Sequence, residues 1–106
     1  HPQIIVVSDE IYEHINFSGS YCSIASIEGM LDRTVTVNGV AKAFAMTGWR
    51  IGYIGAPEAI AKACTKIQGQ VTSGANSIAQ RATITALQAN PSVLNDMVHA
   101  FHQRRD

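Results

Sequence analysis

One lysine and one arginine, eight positions apart, are the residues best suited to chemistry in this chain of 106 residues. Lys42 lies within the run 40–44 (Val-Ala-Lys-Ala-Phe), whose small and apolar side chains favour the neutral lysine amine over its charged form. A neutral amine is the group that forms an imine with an aldehyde. Arg50 offers a planar fork of N–H donors that suits a phosphate, and Gly48 and Gly52 let the nearby backbone bend and approach a ligand. Residue types alone also leave open a purely structural lysine.

A second group of polar side chains follows the first apolar run of the chain. Residues 4–7 (Ile-Ile-Val-Val) form an unbroken β-branched run, which predicts a strand buried on both faces, as in a parallel sheet. Asp9 and Tyr12 come directly after it, where open α/β sheets bind their ligands. Asp9 could instead cap a helix at a strand-to-helix turn. His14 is interpreted as a hydrogen-bonded structural histidine.

Two further strands are expected to complete the sheet. Residues 34–37 (Thr-Val-Thr-Val) alternate in polarity, and Asn-Gly at 38–39 ends that strand with a turn signal. Residues 51–56 form the third strand. The connection between the second and third strands holds no helix long enough for a parallel crossover, so the third strand should run antiparallel. The predicted fold class is therefore α/β, with a mostly parallel sheet, one antiparallel strand and flanking helices.

Three helices should follow the strands, and a short helical turn within 24–28 is possible. Pro57 suits the first helical position, and residues 72–75 break that helix. Ser77 begins a capping box for a second helix that should end near Ala89 and should be well buried, because it is rich in small and apolar residues. The third helix should follow an Asn-Pro start at 90–91. Apolar stripes are expected at Ile60, Ala63, Cys64, Ile67 and Val71 and at Leu94, Met97, Val98 and Phe101.

Composition narrows the possible functions. Hydrophobic residues make up 46% and charged residues 15%, with zero net charge, so the chain should fold and shows no basic region for nucleic acid or an anionic membrane surface. Cys22 and Cys64 show neither metal spacing nor a disulfide framework, so a cytoplasmic setting is expected. His99 and His102 stand three apart without a third ligand nearby, so no metal site is predicted. The first and last residues resemble cut ends, which predicts an internal fragment of a longer protein.

Three motifs follow one another along the chain. They are Ser-Asp-Glu-Ile-Tyr-Glu at 8–13, Val-Asn-Gly at 37–39, and Ala-Lys-Ala-Phe-Ala-Met-Thr-Gly-Trp-Arg-Ile-Gly-Tyr at 41–53. In this combination and spacing, the chain resembles the fold-type-I aminotransferases that use pyridoxal 5'-phosphate, and it is similar to the bacterial aspartate aminotransferase branch. The resemblance extends from the first strand to Arg105. It implies that residues 1–106 are the C-terminal part of the large cofactor-binding domain, truncated at both ends.

The resemblance implies a role for each matching residue. Lys42 would form the Schiff base with pyridoxal phosphate and carry the proton between the substrate and the cofactor. Asp9 would pair with the pyridine nitrogen, Tyr12 would hydrogen-bond the 3-oxygen of the ring, and Arg50 would hold the phosphate. A protonated ring is an electron sink, so a carboxylate at Asp9 fits this chemistry. Many relatives have serine where this chain has Ala41, which would weaken one contact at or near the phosphate and leaves the lysine assignment intact.

The activity implied by the resemblance is transamination between an amino acid, expected to be aspartate, and a 2-oxo acid. It also implies a homodimer in which the segment resembling residues 70–76 approaches the cofactor of the partner subunit. The phosphate-binding helix, the ring-stacking aromatic residue and the substrate-carboxylate arginine of the family lie outside these residues, so the isolated chain is expected to be inactive. A β-lyase of the same fold and the effector domain of a transcription regulator remain alternatives.

Overall fold

A small mixed β-sheet followed by helices forms the computed structural model, which describes residue 1 and residues 3–106. The strands are β1 (Val6–Asp9), β2 (Thr34–Asn38) and β3 (Tyr53–Gly55), and the α-helices are α1 (Glu58–Val71), α2 (Ser77–Gln88) and α3 (Asn95–Arg105). Short 3-10 helices cover Ile24–Ser26, Leu31–Arg33, Thr47–Trp49 and Pro91–Leu94.

The sheet has the order β1-β2-β3 and contains both strand directions. β1 runs parallel to β2, with Val6 opposite Thr34 and Asp9 opposite Val37. β3 runs antiparallel to β2, with Ile54 opposite Val37. The predicted α/β class and the antiparallel direction of the third strand are therefore confirmed. Because β1 and β2 are parallel, their carboxyl ends meet at one edge of the sheet.

The first strand differs from its prediction in position and in burial. Pairing begins at Val6, which lies opposite the first residue of β2, so Ile4 and Ile5 have no residue of β2 opposite them. Val7 is 69% exposed, and Ile4 and Ile5 are also exposed. The expected burial on both faces is therefore wrong for this chain, because β1 is an edge strand and its outer face lacks a covering element among the described residues.

The second α-helix begins where expected but with a different cap. The Asn76 side-chain oxygen accepts hydrogen bonds from the backbone N–H groups of Ile78 at 2.9 Å and Ala79 at 3.1 Å. Asn76 is therefore the N-cap, and the predicted capping box of Ser77 with Gln80 is wrong. The cap therefore lies one position earlier than predicted, and its oxygen serves the unpaired N–H groups of Ile78 and Ala79 instead of that of Gln80.

Burial of α2 was also predicted incorrectly. Only Ala79 and Thr83 of this helix are buried, whereas Ile78 is 69% exposed and Leu87 is 50% exposed. The helix has apolar side chains on more than one side, but the described residues cover only the side that carries Ala79 and Thr83.

The other helix boundaries follow the expected signals closely. Pro57 is the N-cap of α1 and not its first residue, so the helix begins one position later than predicted, and it ends at Val71 as expected. Glu58 and Lys62, four positions apart on α1, form an exposed ion pair. The Asn90 side-chain oxygen accepts from the backbone N–H of Ser92 at 2.9 Å, which caps the 3-10 turn leading into α3.

The buried side chains concentrate around β2 and the turn that follows it. Val40 has no exposed surface and Ala43 is 2% exposed. Two polar residues of β2, Thr34 and Asn38, are buried as well, and so is Glu10 just after β1. The core therefore sits at the edge of the sheet where the candidate site residues emerge.

Candidate active site

The turn that carries Lys42 is anchored on both sides of the lysine. Val40 and Ala43 are buried, and Lys42 between them is half-buried. The backbone N–H of Phe44 donates to the Val40 carbonyl at 3.1 Å, and that of Ala45 donates to the Lys42 carbonyl at 3.3 Å. Two buried neighbours and two backbone hydrogen bonds thus determine where the lysine side chain begins.

Close backbone packing holds this turn against the start of β3. A methyl group at Gly39 would lie 3.1 Å from the Ile51 carbonyl oxygen and 3.2 Å from the Gly52 Cα, and one at Gly52 would lie 3.2 Å from the Asn38 carbonyl oxygen. These contacts are tighter than a side chain normally permits, so glycine at both positions allows the two segments to approach.

Lys42 and Tyr12 lie in the same cavity. The Lys42 Nζ atom is 5.8 Å from the centroid of the Tyr12 ring. Both residues line a cavity of about 670 Å³, together with Thr47, Met97 and Phe101 among others. Within the described residues no carboxylate forms an ion pair with the Lys42 amine. The amine is therefore open to a ligand in this cavity.

Asp9 lies at the carboxyl end of β1 and is exposed. One of its carboxylate oxygens accepts from the backbone N–H of Ile11 at 3.2 Å. A series of turns follows instead of an α-helix, so the helix-cap alternative for Asp9 is wrong. Asp9 lines a cavity of about 420 Å³ that also has Tyr12 in its wall, so Tyr12 borders both this cavity and that of Lys42.

Arg50 lines a third cavity, of about 870 Å³. Its backbone is left-handed, with φ 52° and ψ 50°, and its Nη1 donates to the Thr47 carbonyl at 2.9 Å. Ala45 borders both this cavity and that of Lys42, and Asn76 lines the same cavity as Arg50. The structure thus brings Lys42 and Tyr12 together directly and sets Arg50 in an adjoining cavity.

Glu13 links the turns that follow β1 to the end of β2. The Asn38 side-chain amide donates to the Glu13 carboxylate at 2.7 Å, and its side-chain oxygen accepts from the Gly39 backbone N–H at 2.7 Å. The His14 Nε2 atom lies 3.4 Å from the Glu13 carboxylate, and the structural role of this histidine stays a prediction. Burial, followed by the charge of Glu13, raises the pKa of Tyr53.

Glu10 is a buried residue at the site to which the sequence assigned no role. It is 5% exposed, and its carboxylate accepts from the Ser8 and Ser23 hydroxyls, both at 2.9 Å, and from the Ile24 backbone N–H at 3.3 Å. Burial acts to raise the pKa of Glu10, but hydrogen bonds, including one from Tyr21, outweigh it and hold that pKa below its ordinary value.

The inward position of Glu10 could have been found from the strand period. Val6 and Ser8 are the more buried residues of β1, and Glu10 continues their two-residue alternation. Tyr21 shares the environment of Glu10: burial, then its hydrogen bond to Glu10 and the charge of that residue, raise the pKa of Tyr21 to about 12. The Glu10 carboxylate is thus a fixed centre of negative charge behind the site.

Other features of the described chain bear on the remaining predictions. No described helix combines the length and the apolar character that crossing a membrane requires. Across the described residues, no group of three or more His, Cys, Asp or Glu side chains is arranged to hold a metal ion. Cys22 and Cys64 are both free and exposed.

Comparison with known proteins gives one consistent result. Residues 1–106 match the family described as Aminotransferase class I and II. The chain is 54% identical to a bifunctional aspartate aminotransferase and glutamate/aspartate-prephenate aminotransferase of Petunia hybrida, matching all of this chain and 23% of that protein. It is 44% identical to the aspartate aminotransferase of Rhizobium meliloti (strain 1021), matching all of this chain and 26% of that protein.

Solved structures agree with this result. The crystal structure of the Rhizobium meliloti aspartate aminotransferase superposes with a TM-score of 0.95 at 44% identity, covering all of this chain and 27% of that one. The aromatic aminotransferase of Pyrococcus horikoshii OT3 superposes with a TM-score of 0.89 at 39% identity, covering 95% of this chain and 28% of that one. The chain spans about a quarter of the length of these relatives. By its match over residues 1–106, this chain belongs to the aminotransferase class I and II family.

Proposed function

We propose that residues 1–106 are the C-terminal part of the large, cofactor-binding domain of a longer aminotransferase that uses pyridoxal 5'-phosphate. The proposed reaction is exchange of an amino group between aspartate and a 2-oxo acid. Membership of the family supports the reaction class. The names of the Petunia and Rhizobium relatives, which are aspartate aminotransferases, support aspartate as the amino donor.

The observation that carries this proposal is the pairing of an unpartnered lysine amine with a tyrosine in one cavity. The Lys42 Nζ lies 5.8 Å from the Tyr12 ring, and no described carboxylate neutralises it by an ion pair. Asp9 and Arg50 line cavities that border this one. An amine, a carboxylate, a phenol and a guanidinium are the groups needed by an aldehyde that carries a basic ring nitrogen and a phosphate, so the donor set fits pyridoxal phosphate.

Each of these residues has a proposed task. When bound, pyridoxal phosphate supplies an electron sink for the electron pair left when the substrate Cα loses its proton. The Lys42 amine, in its neutral form, takes that proton and returns it as a general base and acid. Asp9 holds a proton on the ring nitrogen by its negative charge. Tyr12 donates a hydrogen bond to the ring 3-oxygen, and Arg50 binds the phosphate with charge-assisted hydrogen bonds.

Chemical labelling tests the assignment of Lys42. The full-length protein is incubated with pyridoxal phosphate, reduced with borohydride and digested, and the labelled peptide is identified by mass spectrometry. We expect the pyridoxyl label on Lys42. Lys62 and Lys66, which lie on exposed positions of α1, serve as internal controls for non-specific labelling. A label found mainly on either of these residues would refute the assignment.

The proposal extends to assembly and compartment. We infer a homodimer, as the resemblance to the family implies, and size-exclusion chromatography with light scattering of the full-length protein tests it. The two free, exposed cysteines support a reducing compartment, for which we propose the cytoplasm. Fractionation of cells that express the full-length protein tests that location.

A further inference from the structure

Among the described residues, Glu10 is the one buried residue that carries a charge, and no cation lies beside it to balance that charge. The groups that donate to its carboxylate are all neutral: the hydroxyls of Ser8, Ser23 and Tyr21 and the backbone N–H of Ile24. No described basic side chain forms an ion pair with it. A buried carboxylate is costly unless its oxygens are hydrogen-bonded, so this arrangement depends on all of these donors staying in place.

These hydrogen bonds close a loop. Ser8 and Glu10 stand at the end of β1, whereas Ser23 and Ile24 lie 13 and 14 positions beyond Glu10, at the start of the 3-10 helix Ile24–Ser26. The carboxylate therefore joins the two ends of the segment 11–22, which we call the Tyr12 loop. A hydrogen bond to a charged group is stronger than one between neutral groups, so the charge of Glu10 strengthens this closure.

The Tyr12 loop forms one wall of the Lys42 cavity. Tyr12, Ile15 and Phe17 line that cavity together with residues of the lysine turn and of α3. Inside the loop, the backbone N–H of Glu13 donates to the Glu10 carbonyl at 3.0 Å, and that of Ile15 donates to the Tyr12 carbonyl at 2.8 Å. The position of the Tyr12 ring therefore depends on where the two ends of the loop are held.

We propose that Glu10 is a positioning residue of the cofactor site: its carboxylate closes the Tyr12 loop and so holds Tyr12 beside the Lys42 amine. This inference rests on the proposed function of the cavity. It assigns a role to Glu10, which follows Asp9 in the motif and contacts neither the Lys42 amine nor Arg50. The depressed pKa of Glu10 keeps its carboxylate ionised at neutral pH, as this task requires.

A substitution that preserves size but changes hydrogen bonding provides the test. In Glu10→Gln the side chain loses its negative charge and an NH₂ donor replaces one of the two carboxylate oxygens, while the bonds from Ser8, Ser23 and Ile24 all meet at a single oxygen, Oε1. The exposed Glu28, which makes no described side-chain hydrogen bond, provides the matched control Glu28→Gln. Both variants are made in the full-length protein, alone and combined with Tyr12→Phe.

Three readouts separate positioning from general loss of structure. We expect Glu10→Gln to weaken pyridoxal phosphate binding on the order of tenfold, the scale seen when a residue that orients a metal ligand is replaced. It should also move the pH midpoint of the visible absorption band of the bound cofactor. In the Tyr12→Phe background both effects should largely vanish, because Glu10 acts through Tyr12. In the cofactor-free protein, amide hydrogen exchange in residues 11–22 should accelerate.

The possible outcomes are distinct. If Glu10→Gln behaves like Glu28→Gln, or has the same effect with and without the Tyr12 hydroxyl, the positioning role is wrong. If Glu10→Gln does not fold, Ser23→Ala removes one donor and should produce a smaller shift of the same kind that also depends on Tyr12. If the wild-type protein binds no pyridoxal phosphate, the proposed function fails and the role of Glu10 at a cofactor fails with it, whereas the exchange measurement still reports on loop closure.

Discussion

Two regions of this chain are held together in different ways. The site frame, which consists of residues 6–10, β2 and residues 39–50, contains the fully buried Val40 and buried polar groups that hydrogen-bond with their neighbours. The helical pair, α1 and α2, instead carries exposed apolar side chains, including Ile67 at 66% and Val71 at 74% exposure. Hydrogen bonds are directional and fix positions locally, whereas apolar burial requires a neighbouring surface. The frame can therefore orient site residues through its own contacts, while the helical pair depends on more of the full-length protein.

If the reaction takes place at the site frame, replacing a lysine there should lower the reaction rate far more than replacing a lysine of the helical pair. This is the largest effect that we expect. Lys42→Ala in the full-length protein should lower the transamination rate by roughly 10²- to 10⁴-fold, the scale for loss of a general acid–base group. Lys62→Ala removes a lysine whose exposed ion pair with Glu58 contributes little. A coupled assay of aspartate consumption measures both. Equal rates for the two variants would contradict the comparison.

The same contrast applies to the two regions' arginines. Arg50→Ala should weaken pyridoxal phosphate binding roughly 10- to 100-fold, because a hydrogen bond to a charged group contributes about 1.5–3 kcal/mol. Arg81→Ala, on the exposed surface of α2, should have little effect. Absorbance titration measures binding, and pyridoxal without phosphate provides a second control. If Arg50→Ala weakens both ligands equally, Arg50 does not bind the phosphate.

The helical pair yields a prediction for the isolated 106-residue chain. Made alone, this chain should self-associate and show no aminotransferase activity, because its exposed apolar side chains and the open edge strand β1 favour association. Replacing Ile67 and Val71 together by glutamate should shift light scattering towards the monomer of 11.4 kDa. Gln70→Glu, at an exposed polar position of the same helix, adds charge without removing apolar surface. A monodisperse wild-type monomer that binds the cofactor stoichiometrically would refute this prediction.

Sequence reasoning succeeded where a local rule decides the structure. The antiparallel direction of β3 followed from the short connection after β2, and the break after Val71 followed from Thr-Ser-Gly. It was less accurate where two local signals compete. Asn76 and Ser77 are both good N-cap residues, and only the structure shows that the Asn76 oxygen reaches the N–H groups of Ile78 and Ala79.

It failed where the outcome depends on distant segments. The β-branched residues 4–7 predicted a buried strand, yet pairing begins at Val6 because β2 begins at Thr34. The apolar composition of α2 predicted burial, yet composition does not specify which surface will cover a helix. The network around Glu10 was missed for a related reason, since Ser23 lies 13 positions away and no spacing rule links it to Glu10.

Glutamates from the two regions should contribute differently to the stability of the folded protein as the pH falls. This is the smallest effect among these predictions. The folded-state pKa of Glu10 lies below its ordinary value of 4.5, so its ionised form stabilises the folded protein. That stabilisation is fully present above about pH 4.5 and is lost as the pH falls through the lower folded-state pKa. The neutral side chain in Glu10→Gln does not titrate, so the variant should be less stable than wild type at pH 7, and the difference should narrow below pH 4.5.

Thermal unfolding of the cofactor-free full-length protein, followed by circular dichroism from pH 7 down to pH 3, measures this difference. Glu58→Gln is the matched control from the helical pair, because its exposed ion pair with Lys62 should contribute little at any pH. We expect the melting temperatures of wild type and Glu10→Gln to converge as the pH falls, while those of wild type and Glu58→Gln stay close throughout. A constant gap between wild type and Glu10→Gln would mean that the negative charge of Glu10 does not stabilise the frame, and this prediction would be wrong.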